Sequence, residues 1–145
     1  MSMLKSIGEW IEDRGIGFTI GTNLYVGHLP LKRVDGTEPP DRCTTLLENA
    51  GGSVYFDLTD RVDKMLQVLS RAIDYTDAET DALTIYDELH GNAGLRLPTP
   101  DVSSGTLYVA MTIQAVSAPA PIGQDDKDRW RFSTNYIVRI RDFKT

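Results

Sequence analysis

The sequence predicts an α+β fold: a mixed, largely antiparallel sheet of about five strands, two helices, and a long C-terminal β-hairpin. Three stretches carry this expectation. Residues 129–141, RWRFSTNYIVRIR, alternate with a period of two, so that Trp130, Phe132, Thr134, Tyr136, Val138 and Ile140 share one face. Arg129, Arg131, Arg139 and Arg141 share the other. Leu107 to Ala115 alternates in the same way and supplies the hairpin partner. Between Thr76 and His90 the apolar residues recur instead at helical spacing.

Taken in order, Met3, Leu4, Ile7, Trp10 and Ile11 mark a first amphipathic helix of about twelve residues, with Ser2 as a cap and Gly15 beyond its end. Gly8 weakens that helix by about 1 kcal/mol relative to alanine, so packing has to hold it. The run from Gly15 to Gly21 contains three glycines, but the third falls one place late for a phosphate-binding G-x-G-x-x-G and no strand precedes it. It reads as turns around a short strand. Leu24 to Leu29 is a strand closed by Pro30, and His28 within it has no second ligand at metal-binding spacing. Residues 32–41, with Gly36, Pro39 and Pro40, form a surface loop.

Cys43 to Leu47 is a further strand, ended by the run Asn49 to Gly52. Cys43 is the single cysteine and reads as a small buried residue. Ser53 to Asp63 has no clear period. Lys64 to Ala72 is a strand apolar on both faces, Leu66 and Val68 on one and Met65 and Leu69 on the other, which places it centrally. Thr76 and Glu79 form a capping box that starts the second helix. Ala78, Ala82, Ile85, Tyr86 and Leu89 give its buried stripe, His90 suits its carbonyl end as a partial cation, and Gly91 stops it. Its exposed side is acidic, with Asp77, Glu79, Asp81, Asp87 and Glu88 and no lysine or arginine. Asn92 to Ser104 is a connector.

The hairpin tip runs from Ser117 to Asp128: Pro119, Pro121 and Ile122 first, then Asp125, Asp126 and Asp128. Loops of about 12 residues exceed ordinary hairpin connections and are often functional. The last strand would be about 43 Å long if straight, against a diameter of about 40 Å for a chain of this size, so one end must bend or project.

Chemistry finds little support. Three aspartates on one tip lack the convergence from separate elements that a magnesium ion takes. There is no G-x-S-x-G and no cysteine–histidine pairing, and no cofactor motif. The chain of 145 residues suits a single domain that needs no metal or disulfide to fold. No apolar run is long enough to span a membrane and the first residues lack the apolar core of a signal peptide, so a soluble protein of a reducing compartment is expected. A net charge of -6 and a pI near 4.8 argue against nucleic-acid affinity as the main role. Protein partners are expected.

The segments Tyr25-Val-Gly-His-Leu-Pro30, Val68-Leu-Ser-Arg71-Ala-Ile-Asp-Tyr75 and Ile85-Tyr-Asp-Glu-Leu-His-Gly91 carry a resemblance, together with the hairpin from Gln114 to Asp125 and from Arg129 to Asn135. In that order they resemble the minor capsid or tail terminator proteins of long-tailed bacteriophages. The resemblance implies a sheet with both helices packed on one face and a structural virion protein without catalytic residues, assembled in the host cytoplasm. It further implies a ring, typically hexameric, at the head-proximal end of the tail tube. Such a ring stops tube growth and meets the head or neck; a head-completion or neck connector protein is the alternative. Partners are then the chain itself, the tail tube protein and a head-completion or neck protein. On this basis Arg129, Arg131, Arg139 and Arg141 are candidate subunit contacts for Asp77, Asp81, Asp87 and Glu88 of a neighbour. Pro119, Pro121, Ile122, Asp125, Asp126 and Asp128 are candidates for contact with tail or neck.

Overall fold

A computed structural model describes residues 3–50, 57, 61–97 and 108–142. In chain order the elements are α1 (Met3–Asp13), β1 (Leu24–Val26), β2 (Cys43–Asn49), β3 (Arg61–Ala72), α2 (Tyr75–Leu89), β4 (Asn92–Leu97), β5 (Tyr108–Ala115), β6 (Ala120–Gln124) and β7 (Trp130–Asp142). The sheet order is β1-β2-β3-β7-β5-β4, with β6 also paired to β7. The sheet is mixed because β1 runs parallel to β2, while every other pairing is antiparallel.

Alternation decides which side is covered. Leu66 and Val68 of β3, Tyr136, Val138 and Ile140 of β7, Leu46 of β2 and Ile113 of β5 face one way, into a core shared with both helices. From α1 come Met3, Leu4, Ile7 and Ile11; from α2 come Ile85 and Leu89. Burying each such aliphatic side chain contributes about 1.5–3 kcal/mol. Because α1 touches β1, β2 and also β4 near the opposite edge, the sheet curls towards the helices. A smaller cluster of Ala72, Ala78, Ala82 and Phe132 continues the core towards Trp130, with Tyr75 packed edge-on to Phe132 and Trp130. In the covered layer the buried hydroxyls of Thr44 and Ser70 hydrogen-bond each other at 3.0 Å across β2 and β3.

All five expected strands are present, and β3 is central. Two more join them. β4 occupies part of the stretch read as a connector: NAGLRL is too short and glycine-broken to show a period. β6 lies inside the hairpin tip, where Pro121 disguises a strand held on one edge only. Positive φ at Gly123 accommodates the register shift between Pro121 and Gln124. The expected tip loop therefore reduces to the turn 125–128, and β5 with β6 forms one interrupted strand along β7. β7 does not project alone, because β3 pairs with it from Trp130 to Arg141.

Local readings need four corrections. β1 ends at Val26, so His28 lies in the following bend and not in the strand. The glycine-rich run is turns with an isolated bridge at Ile20 in place of a short strand. α2 is capped by Asp74, whose carboxylate accepts from the Thr76 amide, so Thr76 lies inside the helix. Packing of Tyr75 on Trp130 and Phe132 draws the helix start forward. His90 has another partner than the helix end: its Nδ1 accepts a 2.9 Å hydrogen bond from the Ala115 amide, and its ring stacks on Tyr86. It ties α2 to β5, with Gly91 at φ 87° just beyond. The stretch 53–63 lies outside the described residues except at Asp57 and from Arg61, where β3 has begun; residues 98–104 also lie outside them.

Gly8 has a packing reason. A Cβ there would sit 2.8 Å from Val26 Cγ2, with Ile20 and Leu46 close behind, so the missing side chain lets α1 lie against β1. Gly8→Ala is expected to lower stability in urea denaturation by about 1–3 kcal/mol through overpacking, although helix propensity alone would raise it by about 1 kcal/mol. An increase would show that Val26 yields freely.

Candidate functional site

With both helices on one side, the odd-numbered residues of β3 and β7 form a face covered only in part. The register sets Arg61 opposite Arg141 and Arg71 opposite Arg131, like charges at both ends of the pairing. Between them Asp63 receives Arg139, Nε to Oδ1 at 3.0 Å. The Nε atoms of Arg61, Arg71 and Arg131 are buried without a hydrogen-bond partner among the described residues. Arg71 also donates to the Pro40 carbonyl at 3.1 Å. Leu29, in the loop after β1, faces Thr45, Leu47 and Leu69 and leaves a cavity of about 240 Å³ reached by Arg71 and Arg131.

The candidate contact residues are placed as follows. Arg129 is largely buried at the tip, bonded to Asp125 at 2.8 Å and to Asp41 at 3.4 Å. Arg139 is held by Asp63. Asp81 receives both Nε and Nη2 of Arg42, at 3.0 and 2.9 Å, and Asp77 lies 3.4 Å from the same guanidinium. Glu88 is bonded to Arg14 at 3.1 Å. Arg131 and exposed Asp87 form no ion pair among the described residues, and Arg141 lies exposed beside Arg61. The arginines of β7 and the acids of α2 thus lie on opposite sides of the sheet, and internal pairs occupy several of them. Arg42 and Arg14 were not legible as partners: they stand 39 and 74 residues from the acids they meet.

At the tip, one aspartate organises the turn and two face outward. Asp125 Oδ1 accepts from the amides of Lys127 and Arg129, both at 3.0 Å, and Oδ2 accepts from Arg129 Nε. Asp128 adopts φ 59°, its amide bonded to the Asp125 carbonyl. Asp126 and Asp128 are exposed, as are Pro121 and Ile122, while Pro119 is half-buried. The three carboxylates do not converge, and no group of metal-ligating side chains occurs among the described residues.

A second surface went unnoticed in the sequence. Beside β1, a groove of about 460 Å³ is walled by α1 at Lys5 and Glu9, by Leu24 to Val26, and by the loop from His28 to Val34. Leu31 and Val34 are almost wholly exposed at this loop, 92% and 109%. The apolar residues Leu29, Leu31 and Val34 within seven residues of loop were the available signal.

One protein family, described as bacteriophage tail terminator protein, has a model that matches residues 6–142. No curated protein matches the chain.

Desolvation works against ionisation of Asp125, but the Arg129 and Lys127 amides and the Arg129 guanidinium outweigh it and hold its carboxyl below the usual carboxylate range. Its folded pKa being depressed, the contribution to tip order is present above the unfolded value of about 3.9 and is lost as pH falls through the lower folded one. Protection of the Lys127 and Arg129 amides, measured as exchange relative to the intrinsic rate at each pH, should fall across that acid window. In Asp125→Asn it should be low already at neutral pH; equal protection in both proteins would assign tip order to β6 pairing alone.

Proposed function

This chain belongs to the bacteriophage tail terminator protein family, and from that membership we propose that it closes the head-proximal end of the tail tube as a ring of identical copies. Its role is structural, as a component of the virion. The observation that carries the reading is the family match across residues 6–142, which takes in nearly every element of the fold. In the proposed assembly the ring, taken as hexameric from the resemblance, ends tube growth and offers its far side to a head-completion or neck protein.

A closed ring is a heterologous assembly, so each copy must present two different surfaces that meet. The arginine-bearing side of β7 and the acidic side of α2 support that reading by lying on opposite sides of the sheet. With Arg129 and Arg139 held by acids of their own chain, and Asp77, Asp81 and Glu88 held by Arg42 and Arg14, Arg131 and Asp87 are the two of these charges on β7 and α2 that carry the steering. Such charges set orientation and encounter rate more than affinity. Tight contact then has to come from apolar surface. The tip from Pro119 to Asp128 is one such element, with the tube, the neck protein and a neighbouring copy as its available partners.

Negative-stain microscopy of the purified protein, alone and mixed with tail tubes, with mass from light scattering, tests the assembly. Rings, free or capping one tube end, are the expected result; a monomer that never decorates a tube overturns the reading. For the charge contribution, Arg131→Glu should slow ring closure about tenfold at low salt, and the difference should shrink as ionic strength shortens the range of the field. An unchanged rate at low salt would remove Arg131 from the steering surface.

A further inference from the structure

At the tip end of the sheet the strand order is β1-β2-β3-β7-β6, because β5 pairs with β7 only from Tyr136 onward. β1 and β6 are therefore opposite edges of one sheet. Neither edge offers an unbroken run of backbone groups for pairing. The amide and carbonyl of Leu24 are taken by Thr19 and Gly21, at 3.1 and 2.9 Å, and β6 carries Pro121, with Pro119 just before it. Both edges nevertheless bear exposed apolar side chains: Leu31 and Val34 beside the β1 groove, Ile122 and Val116 along the β6 side.

The two edges also differ in sign. The groove is lined by the cations Lys5, Lys32 and Arg33 against the acid Glu9, and Arg33 lies 3.9 Å from the neighbouring Asp35, which still leaves cations in excess. The turn beyond Ile122 exposes Asp126 and Asp128 against Lys127, while Asp125 and Arg129 neutralise each other. Opposite edges, apolar on both and opposite in charge, fit the two halves of a heterologous contact.

We infer that the β6 tip of one copy seats Ile122 in the groove beside β1 of the next copy, with Asp126 and Asp128 against the groove's cationic rim. The inference rests on the ring reading and names the contact that closes the ring. It is a side-chain lock and not a continuation of the sheet, since Leu24 of β1 is already bonded and Pro121 of β6 has no amide to give.

The test uses full-length variants at exposed positions, with circular dichroism melts to verify the fold. Ile122→Asp and Val34→Asp each place a charge in the lock, and each should weaken self-association at least about tenfold. Mixing Ile122→Cys chains with Val34→Cys chains under mild oxidation should give covalent dimers, native Cys43 being buried at 2% exposure. Ile122→Cys mixed with Leu83→Cys, on exposed α2, should not. Wild-type rings with both aspartate variants assembling normally, or cross-linking equal to the Leu83 control, overturn the lock and leave the ring reading standing. A wild-type chain that stays monomeric with and without tubes overturns both.

Discussion

The pairing of β3 with β7 is the constraint on which the rest depends. It runs without a register shift from Arg61 opposite Arg141 to Ala72 opposite Trp130. Because side chains alternate, this one register sends Leu66, Val68, Tyr136, Val138 and Ile140 under the helices and every arginine of β7 to the other side. A slip of one residue would drive Arg131 and Arg139 into the core, a far larger cost than the repulsion it could relieve between Arg71 and Arg131 or Arg61 and Arg141. The like-charged pairs are therefore a consequence of the core. The sheet tolerates them because this face carries no helix, so their terminal nitrogens are not enclosed by the core, and because Asp63 neutralises Arg139 between them.

How much of this was legible in the sequence follows from the range of each cause. β7, β3 and the stripe of α2 could be read because alternation and helical spacing are local properties. β4 and β6 could not: one is glycine-broken, the other contains proline, and each is a strand because a neighbour offers it an edge. The cap at Asp74 was displaced by aromatic packing on Trp130 and Phe132, a contact spanning more than fifty residues of chain. His90 was misjudged for the same reason, its partner being the Ala115 amide of another strand. Of the candidate contact residues, the charge pattern located both faces, but the arginines that neutralise the α2 acids come from α1's end and from the residue before β2.

That internal neutralisation changes what the charged faces can do. A guanidinium held by its own chain's carboxylates has a weaker outward field, and exposed pairs such as Arg42 with Asp77 contribute little to stability as well. Their use is geometric: Arg42 and Arg14 fasten α2 to the segment before β2 and to the end of α1. The acidic appearance of α2 is thus largely part of how the helix is docked; among the described residues Glu79 and the exposed Asp87 are its acids without an ion pair.

Net charge sharpens the point. Each copy carries -6, so two copies that come within the screening length of one another repel in most orientations. Self-association then requires a patch where the sign is locally reversed and where apolar surface is removed from water on contact. The groove beside β1, lined by Lys5, Lys32 and Arg33 over an apolar floor, combines both conditions. The acidic tip beyond Ile122 is its complement, on the opposite edge of the same sheet. In the proposed contact, an acidic chain with these two edges would associate in that one orientation, the property a closed ring of fixed size demands.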